Sequence, residues 1–281
     1  TGRVNAFSPG SRKAHIDIDP SSINKVIRVD LPIIGDVGHV LEDLLKIWKS
    51  RGRKTAGEGL AQWWKQIEEW KAVDCLSYKP SKDTIKPQHA LQRLEALTRG
   101  MDRYVTTEVG QHQMWTGQYW KFKKSIEFCT SGGLGTMGYG LGAAIGAQVG
   151  NPDKQVVLIT GDGSFRMNNN ELITVKRYGL PIRIIQLNNH SLGMVRQWQR
   201  MFSRARYSET ETFDDVNMRM FIEAYGIKYF RCHSLEELEN ALEITKDLDE
   251  AVFYECVIDK DDSVYPIVPP GRPINELLLN G

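Results

Sequence analysis

Hydrophobic positions recur along this chain in two rhythms. Residues 14–19, AHIDID, alternate Ile16 and Ile18 with polar partners, the period of a half-buried strand, and shorter apolar runs follow at 26–29 and 31–36. Val37, Val40, Leu41, Leu44, Leu45 and Trp48 then repeat at helical spacing, which predicts an amphipathic helix over 37–49. The stretch SRGRKTAGEG at 50–59 has the composition of a linker. A second helix over 61–73 carries Trp63, Trp64, Ile67 and Trp70, read as packing residues of that linker. From residue 88 the rhythm becomes a regular alternation. Helices at 88–97, 113–119, 139–149, 170–178, 192–202, 216–225 and 235–248 interleave with strands at 103–107, 126–130, 156–160, 182–187, 228–231 and 251–258. This predicts an α/β fold, a doubly wound and mostly parallel sheet covered on both faces. The short opening block resembles the tail of a separate α/β domain, so the chain is expected to begin inside one. The expected division is residues 1–50, 51–87 and 88–281, with lids at 192–208 and in the proline-rich segment 265–273.

Composition narrows the class. The 281 residues are 41% hydrophobic and 25% charged, enough apolar material for a core. Lys and Arg total 36 against 35 for Asp and Glu, a balance that gives no electrostatic footprint for nucleic acid or an anionic membrane. Four scattered cysteines do not make a disulfide framework or a zinc site. No apolar run reaches the length of a membrane span, and the polar opening TGRVNAFSPGSRK lacks the apolar core of a signal peptide. The expectation is a reduced, aqueous compartment.

The chemistry concentrates where strands end. Gly161-Asp162-Gly163-Ser164 follows the apolar strand VVLIT, and Asn188-Asn189 closes the next, IRIIQL. Ends of neighbouring strands in an open α/β sheet form the crevice where ligands bind. One carboxylate and one amide oxygen are hard donors suited to Mg²⁺, which keeps waters and shares substrate phosphates. The glycines let backbone approach an anion, and N–H groups opening a following helix favour phosphate. Either motif alone is an ordinary turn. The two together, each capping a buried strand, point to a metal–diphosphate site. A rival reading comes from residues 133–138, GLGTMG, which fit the dinucleotide fingerprint GxGxxG with Asp162 as the ribose acid 24 positions on. His112, between two glutamines, is a candidate acid or base, or a histidine making ordinary hydrogen bonds. Met137 and Met194 are equally read as core gap-fillers. The basic run 196–206 is read as a solvated helix face, with anion contact as the second reading.

GDGS, 24 intervening residues and NN resemble the signature of thiamine diphosphate enzymes. VGQHQMW at 109–115, SGGLGTMGYGLGAAIGA at 131–147, GDGSFRMNNNEL at 161–172, LPIRIIQLNNHSLGMVRQWQ at 180–199 and VYPIVPPG at 264–271 resemble acetohydroxyacid (acetolactate) synthase. That resemblance implies a thiamine diphosphate-binding fold, preceded by the tail of a Rossmann-like central domain. It implies a transferase of branched-chain amino-acid synthesis that decarboxylates pyruvate and joins the two-carbon unit to a second 2-keto acid, pyruvate or 2-ketobutyrate. It places Mg²⁺ on Asp162, Asn189 and the main-chain carbonyl of Ser191. The diphosphate falls to Gln111, His112, Gly163 and Ser164. The Gly135 carbonyl accepts the cofactor's amino group, and Met137 is the wedge that bends the cofactor. Met194, Val195 and Trp198 match substrate-pocket positions, Trp198 favouring 2-ketobutyrate. Asp17 and Asp36 match positions contacting FAD in a non-redox role. The activating glutamate belongs in the family to a separate pyrimidine-binding domain that nothing here matches. No catalytic residue is therefore assigned in this chain, and these residues alone are expected to be inactive. The resemblance further implies a homodimer or homotetramer with shared active sites, a possible small regulatory subunit, and a cytoplasmic location in a bacterium or an organellar one in a eukaryote. Another thiamine diphosphate enzyme, of pyruvate oxidase or glyoxylate carboligase type, and a non-catalytic scaffold of the same fold are the alternatives.

Overall fold

The computed structural model describes residues 2–52, 57–81, 83–212 and 216–279, and the described chain separates into two compact units. The first comprises residues 1–75 and 265–281. In it β1 (Ala14–Asp17) and β2 (Leu31–Ile34) pair in parallel, Ala14 opposite Leu31 and Asp17 opposite Ile34. The apolar run at 26–29 does not form a strand. Asn24 adopts a left-handed backbone, and its side chain accepts the Val29 N–H at 2.9 Å, turning the chain before a ladder can start. Helix α1 (Val37–Ser50) is N-capped by Asp36, which accepts the N–H groups of Gly38 and His39. In α2 (Glu58–Lys71), Trp63 and Trp70 meet edge to face at 5.4 Å and stay half-exposed, so they are not buried packing. The segment from residue 265 belongs to this unit rather than continuing the larger one: the Arg3 N–H donates to the Arg272 carbonyl at 3.1 Å. The unit boundaries thus differ from those expected at 50, 87 and 281.

The second unit, residues 76–264, holds the βα alternation. It runs α3 (Pro87–Thr98), β3 (Arg103–Thr107), α4 (Gln111–Tyr119), β4 (Phe128–Thr130), α5 (Tyr139–Gly150), β5 (Gln155–Gly161), α6 (Asp162–Phe165), α7 (Leu172–Arg177), β6 (Arg183–Asn188), α8 (Gly193–Phe202), α9 (Met218–Ala224), β7 (Lys228–Cys232), α10 (Leu235–Thr245) and β8 (Val252–Val257). Six strands form one all-parallel sheet in the order β4-β3-β5-β6-β8-β7. Alternate residues of its central strands feed two cores. Val157, Ile159, Ile185, Leu187 and Tyr254 pack on the α3, α4 and α10 side, while Val156, Leu158, Ile184 and Phe253 pack with Leu141, Phe165, Leu172 and Ile222. Burial on both faces is why β5 reads as an unbroken apolar run over 156–159 and why β6 carries neighbouring apolar residues, Ile184 and Ile185, on opposite faces.

The strand order sets the place of the site. β3 connects through α4 to β4 on one side, whereas β5 connects onward to β6 on the other. The connections leaving their adjacent carboxyl ends therefore diverge, which makes this the topological switch point where α/β sheets bind ligands.

Candidate diphosphate and metal site

At that switch point the ends of β3, β5 and β6 surround a cavity of about 250 Å³. Its wall contains Gln111, His112, Gly135, Met137, Asp162, Gly163, Ser164, Asn189, Ser191, Met194 and Val195. Of the residues singled out in sequence for cofactor, metal or substrate, three are not in this wall. Trp198 is on α8 but 44% exposed. Asp17 and Asp36 belong to the first unit, at the carboxyl ends of β1 and β2. There Asp17 accepts the Asp19 N–H at 2.9 Å and Asp36 caps α1.

Gln111 opens α4 and ties three elements together. Its amide donates to the Gln197 side chain at 2.9 Å and the Asp262 carbonyl at 3.1 Å, and accepts from Asn189 Nδ2 at 3.2 Å. His112 is buried, and loss of solvation lowers its pKa to about 3, so the imidazole is neutral. Its ring lies against the backbone of Gly161, where an added Cβ would stand 2.8 Å from Nδ1. Close approach, not backbone conformation, requires glycine there. The Asp162 carboxylate, 3% exposed, is pushed above its usual range by burial and pulled back by the hydroxyl of Thr212, which donates to it.

On the other side Asn189 Oδ1 accepts the Ser191 N–H at 3.1 Å. Asn188 turns the same loop. Its Oδ1 takes the His190 N–H at 2.9 Å, and its Nδ2 donates to buried Glu255 at 2.6 Å. Residues 210–212 run back antiparallel to 190–192. Thr210 accepts from the Leu192 N–H at 2.7 Å and from the Ser191 hydroxyl at 2.9 Å, and the Thr212 N–H donates to the His190 carbonyl at 3.0 Å. Thr210, Thr212, Glu255 and Glu108 were missed in sequence. A charge inside the apolar strand VFYECV was the available signal for Glu255, and Glu108 and the threonines gave none.

Two sequence readings change. The glycines of 133–138 follow β4, but β4 neighbours only β3, so Asp162 at the end of β5 lies two strands away. A dinucleotide fingerprint needs its ribose acid at the end of the adjacent strand, and that alternative falls. Arg196 is not on a solvated face. It is buried, bonded to Asp261 at 3.0 Å and Glu211 at 3.2 Å, and stacked 3.9 Å over the Tyr207 ring.

The wall suits an anionic group held through a cation. His112 Nε2 has no hydrogen-bond partner among the described residues, and the floor is glycine backbone. Among those residues no cluster of three or more His, Cys, Asp or Glu is poised for a metal. The oxygen donors are one carboxylate, the amides of Gln111 and Asn189, the serine hydroxyls and backbone carbonyls, a set suited to Mg²⁺ only when a ligand's phosphates complete it.

The family profile described as thiamine pyrophosphate enzyme, C-terminal TPP binding domain, matches residues 108–256, which include every wall residue. The chain belongs to the thiamine pyrophosphate enzymes. Among these enzymes it is similar to the acetolactate synthase isozyme 3 large subunit of Escherichia coli K12, 40% identical across 100% of this chain and 49% of that protein. The acetolactate synthase large subunits of Lactococcus lactis and Porphyra purpurea are each 38% identical, over 94% and 97% of this chain and 45% and 46% of theirs. The chain thus spans about half the length of the curated relatives it matches. No helix among the described residues is long and apolar enough to cross a membrane.

Proposed function

We propose that this chain is the diphosphate-binding part of an acetolactate synthase catalytic subunit. The protein would decarboxylate pyruvate and transfer the two-carbon unit to a second pyruvate or to 2-ketobutyrate. The observation that carries the reading is the convergence of Asp162, Asn189, Gln111, His112, Ser164 and Met137 on one cavity at the switch point. Thiamine diphosphate, when bound, supplies the electron sink for breaking and making the carbon–carbon bonds. Asp162, Asn189 and the Ser191 carbonyl would hold Mg²⁺, with Gln111, His112, Gly163 and Ser164 on the diphosphate. The Gly135 carbonyl would accept the amino group, and Met137 would support the bent cofactor. Met194 and Val195 would line the acceptor pocket with Trp198 at its rim. The α8 segment would keep water out.

FAD contact by Asp17 and Asp36, a shared active site in a homodimer or homotetramer, and a small regulatory subunit belong to the same proposal. Asp17 and Asp36 fit FAD less fully, since each already accepts local backbone N–H groups.

The test is to incubate the full-length protein with pyruvate, thiamine diphosphate, Mg²⁺ and FAD, with and without 2-ketobutyrate, and to identify the product. Acetolactate, and acetohydroxybutyrate in the mixed tube, support the reading. Acetaldehyde or acetyl phosphate refutes the synthase while keeping the cofactor, and no turnover with no cofactor binding leaves a scaffold. A Trp198→Leu variant is expected to shift acceptor choice towards pyruvate.

A further inference from the structure

Glu108 is the first residue beyond β3, 1% exposed, and it lies behind the wall of the cavity rather than in it. Its carboxylate gathers backbone and hydroxyl donors from segments far apart in sequence. Oε2 accepts the Gly138 N–H at 2.7 Å and the Ser164 hydroxyl at 3.2 Å, and Oε1 accepts the Leu141 N–H at 3.1 Å. The next residue, Val109, donates its N–H to the same Ser164 hydroxyl at 3.4 Å. Gly138 is N-cap of α5, so Glu108 supplies from another strand the anionic cap that the helix lacks in its own sequence.

The α5 backbone is drawn close. A Cβ on Gly140 would stand 2.7 Å from the Glu108 nitrogen, and the Thr106 hydroxyl donates to the Gly140 carbonyl at 3.3 Å. Each segment bound this way leads directly into the cavity wall. Gly138 adjoins Met137 and Gly135, Ser164 completes the GDGS turn, and Glu108 itself precedes Gln111 and His112.

We propose that Glu108 is a positioning residue that locks the 135–138 loop, the 162–164 turn and the 109–112 segment in register, so that the cavity is preformed before a ligand arrives. This rests on the reading of the cavity as the thiamine diphosphate site. Burial favours the protonated acid, and the donors on it oppose that. With acceptor positions filled on both oxygens, the geometry suits the anion. A glutamine would turn an N–H₂ towards donors it cannot accept from.

Two measurements on the full-length protein and its Glu108→Gln and Glu108→Asp variants test the proposal. The first is hydrogen exchange without ligand. Exchange over residues 135–141 and 162–166 is expected to rise in Glu108→Gln while β5 and β6 keep wild-type protection, and Glu108→Asp, which keeps the charge, is expected to recover most of it. Unchanged exchange in Glu108→Gln overturns the proposal, as does loosening of the whole sheet in both variants. The second is calorimetric titration with Mg²⁺ and thiamine diphosphate, where Glu108→Gln is expected to weaken binding by roughly tenfold to a hundredfold, the usual cost of losing a residue that orients ligand-binding groups. Equal affinity in wild type and Glu108→Gln also overturns it. A wild type that binds no thiamine diphosphate sinks the functional reading instead, and the exchange data still decide the role of Glu108.

Discussion

Replacing Gly193 with alanine puts a methyl group where two cavity side chains already are. The added Cβ would lie 2.0 Å from Gln111 Oε1 and 2.4 Å from Asn189 Nδ2. To reach an ordinary contact of 3.4 Å, Oε1 would have to retreat about 1.4 Å, the difference between the two distances. Gln111 is not free to swing, because its amide nitrogen is pinned by Gln197 and by the Asp262 carbonyl. Moving it breaks those two bonds and the one from Asn189, each worth about 1 kcal/mol net when buried. The better helix propensity of alanine returns at most about 1 kcal/mol, and less at the first residue of α8. The net expectation is a loss of about 2–3 kcal/mol, or roughly 4–12 °C in Tm for a unit of this size. Differential scanning calorimetry measures that loss, and titration with Mg²⁺ and thiamine diphosphate should show weaker binding, because Gln111 and Asn189 are displaced together. A variant as stable as wild type with unchanged affinity would falsify the close-packed geometry at the mouth of α8.

Three further outcomes follow from the same geometry. Because His112 falls from its ordinary 6.5 to about 3 in the folded state, the unfolded chain takes up its proton first; stability should decline as pH falls below 6.5, by up to about 1.4 kcal/mol per unit. Denaturation of wild type and His112→Gln between pH 7 and 5 isolates the effect, and parallel curves would count against a buried neutral imidazole. Asp162→Asn keeps the size of the side chain but removes the charge, so the rise in Tm produced by Mg²⁺ with thiamine diphosphate should vanish; a preserved rise would exclude Asp162 as a ligand. Arg103 is buried against Glu95 at 3.0 Å and lies 4.9 Å from the centre of the Trp120 ring, so Arg103→Ala should cost about 3–5 kcal/mol in urea denaturation. A loss below about 1 kcal/mol would mean that solvent or Arg99 takes over the pairing.

What could be read from the chain follows from how local its causes are. The central strands were legible because burial on both faces leaves an apolar run that needs no partner to recognise. Asp162 and Asn189 were legible because adjacent parallel strands bring their ends together, and β5 does pair with β6. Arg196 misled because its acidic partners lie 15 and 65 positions on, beyond any helical periodicity. Glu108 and Thr212 stayed hidden for a similar reason. Their roles exist only through groups 30 and 50 residues away.

The antiparallel pairing of 190–192 with 210–212 separates two tasks along the chain. Its rungs close a circuit from Asn189 to Thr212 and on to the Asp162 carboxylate, while residues 193–209 leave and return between them. Whatever changes in that excursion, in length or in side chains such as Val195 and Trp198, is bracketed by a fixed base. Selection could re-cut one wall of the cavity by altering α8 alone, with Asp162 and Asn189 held still beneath it, so variation in that wall need not be bought with loss of the rest.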